Sequence, residues 1–505
     1  MDEGCEGRSD MNALFIYPEI PETFWGLKYA LEYVSKKAEL PPLGLLTIAS
    51  MVPENWQKRL VDMNVKTLSP QDLAWADYAF ISAMSIQKAS VETVVQMCRA
   101  HSVKVVAGGP YFTTAGNDFS MIDHLVLGEA EIIFPVFLKD LAMGCPQHVY
   151  TAHGNPDLSI TPVPEWDLIN LNDYNTMLIQ FSRGCPFDCE FCDIVQIYGR
   201  KLRTKKTFQF IRELDALYNR GWRSRVFVVD DNFIGAKSRV KEMLRDLASW
   251  MDHHGRPFYF FTQASVNLAD DEELMDLMAD AGFNNVFVGI ETPHAGSLQE
   301  AEKTQNMQRD LLKSIRSIQR HGLEVMGGFI VGFDHDPEDI FDQQIEFIQS
   351  SGIIVAMVSL LEAPTGTRLW KRLKKEGRIL EEFSGNNTNC DLNFIPKMDR
   401  TTLIQGYQRV LDTIYSPAAY YKRSIDFMKF YNQRTVPRFV LGSVKAFFKS
   451  IWLIGLKNQG GFRRYFWLLL MRTLILKPRF FGEAVETMIV GSHFRRMILK
   501  YTQSV

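Results

Sequence analysis

The chain has 505 residues, 46% hydrophobic and 23% charged, with a net charge of −3. That length exceeds one small core and implies two to four domains of ordinary globular composition. Seven cysteines, three of them clustered, exclude a disulfide scaffold and suit a reducing compartment. No apolar run of about 18 residues exists, so no membrane-spanning helix is expected. Residues 1–10 are polar and acidic without an apolar core, and read as a disordered extension rather than a signal peptide. The expected location is therefore cytoplasmic. Charge is uneven: Pro437–Val505 carries 12 Lys and Arg against Glu483 and Glu486 alone, a net of +10 that leaves −13 elsewhere.

Taken in chain order, residues 12–17, 58–62, 78–82 and 103–109 read as strands, with a helix starting near Pro41-Pro42 and another over 89–100. Strands alternating with helices predict a doubly wound, Rossmann-like parallel sheet over 11–140. Ligands of such sheets sit at strand carboxyl ends, where Ser82-Ala83-Met84-Ser85 and Gly108-Gly109-Pro110 fall. The two glycines would let a bulky ligand approach the backbone, and the competing reading is that they are ordinary turn residues. Residues 141–176, rich in Pro, Asn and Asp, read as a linker.

After the apolar run 177–181 comes Cys185-Pro186-Phe187-Asp188-Cys189-Glu190-Phe191-Cys192, a C-x3-C-x2-C spacing. Thiolates this close are best used to wrap one metal centre. Zinc wants four ligands and no fourth Cys or His is in register. A four-iron cluster held by three cysteines leaves one iron open to a small molecule. Strands are then expected at 177–182, 225–230, 257–263, 285–290, 324–331 and 353–361, with helices between them, giving six β/α units. Polar residues gather at the strand ends, where such folds carry function. For each one a local role competes: Glu291 as a helix cap, Asp230 as the partner of Arg225. The basic stretch 196–206 is either a ligand-binding or a solvated loop. Residues 381–400 form an Asn-rich bridge in which Cys390 reads as an inert thiol, and 401–505 is helical, basic and aromatic. Its Leu and Ile content argues against nucleic acid; an anionic membrane surface and plain core packing both remain open.

The three-cysteine spacing, with Phe191 before the third Cys and Arg-Gly-Cys-Pro at its start, resembles the radical S-adenosylmethionine (SAM) superfamily. Pro41-Pro42-Leu43-Gly44, Ala107-Gly108-Gly109-Pro110 and Leu127-Gly128-Glu129-Ala130-Glu131 resemble the cobalamin-binding domain of its cobalamin-dependent members. The chain lacks the Asp-x-His-x-x-Gly motif that supplies histidine to cobalt in other cobalamin proteins. The resemblance implies a partial (β/α)6 TIM-type barrel over 177–380 and a mostly α-helical domain over 401–505. It implies Cys185, Cys189 and Cys192 as ligands of a [4Fe–4S] cluster, and Asp231, Gln263, Ser265 and Glu291 as SAM contacts. Ser85, Gly108, Gly109, Gly128 and Glu129 are the corresponding cobalamin contacts. The segments 327–334 and 361–367 would lie on the adenine and substrate sides. The layout is similar to a subgroup that includes hopanoid methyltransferases. It implies a C-methyltransferase in which one SAM methylates cobalamin and another yields a 5′-deoxyadenosyl radical. A low-potential donor such as ferredoxin or flavodoxin would supply electrons. The substrate would be large and apolar, a hopanoid or isoprenoid lipid or a tetrapyrrole, and peripheral membrane contact would follow. The alternatives are a radical SAM oxidoreductase or cyclase using cobalamin without methyl transfer, and a non-catalytic cobalamin and cluster sensor.

Overall fold

Alternate residues of the first strand serve two different cores, and this sets the architecture of the N-terminal domain. The computed structural model describes residues 10–115, 119–386, 388, 390, 392–434 and 441–502, so the extension expected over residues 1–10 lies outside the described residues apart from Asp10. Strand β1 (Asn12–Tyr17) turns Leu14 and Ile16 into one apolar cluster and Ala13 and Phe15 into another. A strand buried on both faces is the signature of a sheet covered by helices on each side. With β2 (Gln57–Asp62), β3 (Tyr78–Ser82), β4 (Lys104–Gly108), β5 (His124–Leu127) and β6 (Val149–Thr151) it forms a parallel sheet of order β2-β1-β3-β4-β5-β6. Strand order reverses between β1 and β3, which makes their carboxyl ends the natural crevice. The segment expected to be a linker over 141–176 thus carries β6, which extends the sheet past residue 140. Only Tyr150 of its three residues is buried, too short a pattern for periodicity to register.

A second parallel sheet uses β7 (Met177–Ile179), β10 (Arg225–Val228), β11 (Tyr259–Gln263), β12 (Phe283–Glu291), β13 (Glu324–Val331) and β14 (Ala356–Leu360), in order β14-β13-β12-β11-β10-β7. This is the open six-stranded half barrel, with helices such as Thr207–Asn219 and Lys237–His253 outside it. Between β7 and β10 the chain makes a short antiparallel ladder, β8 (Ser182–Arg183) with β9 (Arg203–Thr204), and everything between its stems is the cysteine loop.

Helices Arg400–Ile414, Pro417–Phe430, Leu441–Ser450, Arg463–Leu476 and Phe481–Thr502 form the C-terminal region. Leu403, Tyr407, Val410, Leu411 and Ile414 are buried on the first of these, as their 3–4 spacing requires. Tyr415 donates its hydroxyl to the Ala356 carbonyl at 2.9 Å and accepts from the Ala356 N–H at 3.1 Å, tying this region to the start of β14. Glu486 pairs with Arg225 at 2.5 Å across the amino end of the barrel. Phe466, Phe480 and Phe494 pack as core while Phe448, Trp452 and Trp467 stay exposed, so the aromatics divide between both readings of this region. Among the described residues no helix is long and apolar enough to cross a membrane.

Candidate active site

The cysteine loop is braced on every side. Gly184 adopts φ +95, and a side chain there would meet the carbonyls of Gly199 and Lys201 at 3.0 Å. Only glycine allows so tight a start. The Glu190 N–H donates to Ala301 O at 3.0 Å and its carbonyl accepts from Leu369 N at 2.9 Å. The Glu190 carboxylate receives both arms of Arg372, at 2.7 and 3.0 Å. Arg372 and Arg378 also hold Asp334; burial pushes that carboxyl up, but the guanidinium groups outweigh it and bring it down to about 2.

Among the described residues no three His, Cys, Asp or Glu side chains converge as a single-ion site does, so fit rests on the chemistry of the donors. Burial pushes the Cys185 and Cys192 thiols up, while the amides of Phe187 and Ile194 hydrogen-bond to them. Gln305 donates to the Cys189 sulfur at 3.7 Å. The buried Lys303 ammonium feels both Cys189 and Cys192 and lies 5.9 Å from the Phe191 ring centre. Three thiols with N–H donors and a cation beside them suit a thiolate-held iron–sulfur cluster, whose bound iron supplies the charge that burial alone denies a thiolate.

The residues expected to hold SAM divide into two groups. Asp231 and Gln263 face a cavity of about 1130 Å³. Burial raises the Asp231 carboxyl to about 6, and its Oδ2 accepts from Gly184 N at 3.3 Å, placing it at the root of the cysteine loop. Ser265 and Glu291 do not line that cavity. The Ser265 N–H donates to Asn232 Oδ1 at 3.2 Å and its hydroxyl to Asn267 at 2.6 Å. Glu291 caps no helix: it ends β12 at φ +62, beside a register shift, and pairs with Lys303 at 2.5 Å. A non-glycine residue held at positive φ stores strain of the kind found at functional sites. Lys303, absent from the expectations, joins Glu291 to the cysteine loop; it lies in a polar run without a motif, and only the tertiary fold reveals it. Asp230 does not pair with Arg225. It accepts from Phe181 N at 2.8 Å and Ser182 Oγ at 2.5 Å, and burial raises it to about 7.

The cavity opens between the carboxyl ends of both sheets. Ser82, Gly108, Gly109 and Gly128 contribute from one side, Leu178, Phe227, Val229, Asp231 and Gln263 from the other. Ser85 is not among its walls, although Met84 and Ile86 are; Ser85 packs against Gly385. The glycines answer first to the chain itself. At Gly108 a Cβ would lie 2.8 Å from Val126 O, and at Gly109, with φ +94, it would lie 2.6 Å from Ser82 Oγ. No histidine lines the cavity among the described residues. Its volume is above the usual range for sites that hold one small molecule.

Glu129, on the cavity wall, is also engaged by the stem of the cysteine loop. Its carboxylate receives Arg183 at 2.7 Å and Arg203 at 2.7 Å, while Glu131 receives Arg183 at 2.6 Å and the Thr161 hydroxyl at 2.9 Å. Arg183 and Arg203 are register partners across the stem of the cysteine loop. The basic stretch after the cysteines is thus no solvated loop at Arg203, nor at Lys205, which forms a buried pair with Glu213.

A half barrel carrying three cysteines on its first loop, stacked mouth to mouth on a doubly wound domain, defines a radical SAM enzyme with an attached cofactor domain. Comparison with known proteins agrees. Residues 179–348 match the radical SAM superfamily, and residues 367–505 match a domain of unknown function (DUF4070). An uncharacterized methyltransferase of Synechocystis sp. is 40% identical over 96% of this chain and 91% of its own length. The hopanoid C-2 methylase of Rhodopseudomonas palustris is 31% identical over 93% of this chain and 90% of its own. Among solved structures, the cobalamin-dependent SAM radical enzyme OxsB with aqua-cobalamin bound shares the fold, with a TM-score of 0.64 over 98% of this chain and 81% of that one, at 14% identity. The chain belongs to the family of these methyltransferases, within the radical SAM superfamily. It is an enzyme, and the cofactors that its radical SAM domain implies are a [4Fe–4S] cluster and SAM.

Proposed function

We propose that this enzyme methylates an unactivated carbon of a large apolar polycyclic substrate of the hopanoid class. The observation that carries the reading is the single cavity of about 1130 Å³ shared by the carboxyl ends of both sheets, walled by Leu43, Leu45, Phe80, Phe134, Leu178 and Phe227. When bound, the cluster and SAM supply a 5′-deoxyadenosyl radical and cobalamin supplies a methyl group. Cys185, Cys189 and Cys192 hold the cluster; Asp231 and Gln263 meet SAM from the cavity side, and Glu291 and Ser265 order the neighbouring strand ends. Gly108, Gly109 and Gly128, on the cavity wall, would hold the cobalamin. The apolar walls exclude water from the reacting carbon, which protects a radical from quenching. The 31% identity to a hopanoid C-2 methylase supports this substrate class. A low-potential ferredoxin or flavodoxin is the electron donor, and an apolar substrate of this kind brings the enzyme to a lipid surface.

Anaerobic reconstitution with iron, sulfide, cobalamin, SAM, a low-potential reductant and a hopanoid tests the proposal. The expected products are 5′-deoxyadenosine, S-adenosylhomocysteine and a methylated hopanoid. Deoxyadenosine without S-adenosylhomocysteine would replace it with a radical oxidoreductase or cyclase, and neither product would point to a sensor.

A further inference from the structure

The C-terminal region leaves a broad apolar surface uncovered. On Leu441–Ser450 and its continuation Ile451–Leu456, Phe448, Trp452 and Leu456 recur four residues apart and are exposed. On Arg463–Leu476, Met471 and Ile475 do the same, with Leu468 beside them and Ile475 at 71% exposure. The two faces adjoin, because Trp467 donates its indole N–H to Gly455 O at 3.1 Å. Isolated exposed leucines are ordinary, but a continuous apolar face of this kind marks an interaction site.

Its border fixes the chemistry of the partner. No acidic residue occurs from Leu441 to Gly482, while Lys445, Lys449, Lys457, Arg463, Arg464, Arg472, Lys477 and Arg479 do. Among the described residues the four arginines make no ion pair. An apolar face fringed by unpaired cations is complementary to anionic headgroups over acyl chains. The 14-residue helix Arg463–Leu476 is too short to span a bilayer and long enough to lie in its interface.

We propose that this face docks the enzyme on an anionic membrane and sets the active-site cavity beside the bilayer. The helix Lys28–Val34 is the link: its Leu31 and Glu32 line the cavity, and Lys449 donates to the Glu32 carbonyl at 2.5 Å. An apolar substrate then enters from the lipid without crossing water. The route rests on the apolar-substrate reading; the docking itself does not.

The test is co-sedimentation of the full-length protein with phosphatidylcholine vesicles, with and without phosphatidylglycerol, read without turnover. Binding is expected to anionic vesicles and to weaken with salt. At about fivefold per cation, Arg464→Gln with Arg472→Gln should lower the partition coefficient about 25-fold. Met471→Glu with Ile475→Glu should abolish binding while circular dichroism stays unchanged. Equal partition of all variants, or no binding by the native protein, would overturn the proposal. So would a native dimer that Met471→Glu with Ile475→Glu dissolves, since the face would then be a self-interface. None of these outcomes touches the methylation assay, so the two readings fail separately.

Discussion

Arg183 carries the sharpest prediction, because the N-terminal domain grips the cysteine loop through it. Replacing it by Met keeps an aliphatic stem and deletes the fork. With charges about 4 Å apart and an effective dielectric of about 20, each guanidinium–carboxylate attraction amounts to about 4 kcal/mol before desolvation. Arg203 still neutralises Glu129, so the uncompensated charge is Glu131, 4% exposed and left with the Thr161 hydroxyl. Truncating one partner of a buried pair costs about 3–5 kcal/mol, and with one carboxylate still served the expected loss is about 3 kcal/mol. The pH dependence separates this from a packing defect. Burial pushes Glu131 up and Arg183 outweighs it, so in the native protein the carboxyl titrates below its ordinary range. It therefore stabilises above its unfolded pKa, and the contribution is lost as pH falls through the folded value. In Arg183→Met burial acts unopposed and the folded pKa rises, so the penalty builds as pH rises through the unfolded pKa and is complete above the folded one. Urea unfolding of both proteins should thus give a small gap near a pH of about 4 and the full gap at neutral pH. Adding Glu131→Gln to Arg183→Met should restore most of the loss, and cluster loading should follow the same order. A gap independent of pH, or no rescue by Glu131→Gln, would refute the clasp.

Three other expectations follow from the same geometry. Cys185→Ala, Cys189→Ala and Cys192→Ala should each lose iron and the visible cluster absorption after reconstitution, with the far-ultraviolet circular dichroism retained. Glu324, at the start of β13 and facing Glu486 and Glu483, is raised to about 7, chiefly by burial. Its folded form holds a proton that the unfolded chain releases, so thermal midpoints should fall as pH rises from the ordinary carboxylate range to about 7. Glu324→Gln should flatten that slope, and an unchanged slope would discount the burial. Gly109→Ala meets both φ +94 and the Ser82 hydroxyl. A cost of about 1–3 kcal/mol is expected from the backbone alone, with reduced retention of added cobalamin on desalting.

Much of this protein is local information, and local information is legible in a chain. Unbroken apolar runs place β1 and β3, and the 2.0 period places β13, within a residue of where they stand. The cysteine spacing needs no fold to be recognised, since all three thiols lie on one loop. What the sequence left open depends on pairs far apart in the chain. Glu129 keeps its place on the cavity wall, but only the fold shows that Arg183 and Arg203, 54 and 74 residues away, also engage its carboxylate. Glu291 reads as a SAM contact or a helix cap until Lys303 is folded onto it, and Gly109 lines the cavity with the Ser82 hydroxyl close beside it. The C-terminal aromatics obey the same rule. Composition cannot tell Phe466 from Trp467, yet one is core and the other surface, because burial is a property of which helix packs on which. The chemistry of the centre was written in the order of its residues; only the tertiary structure decided how two domains hold it between them.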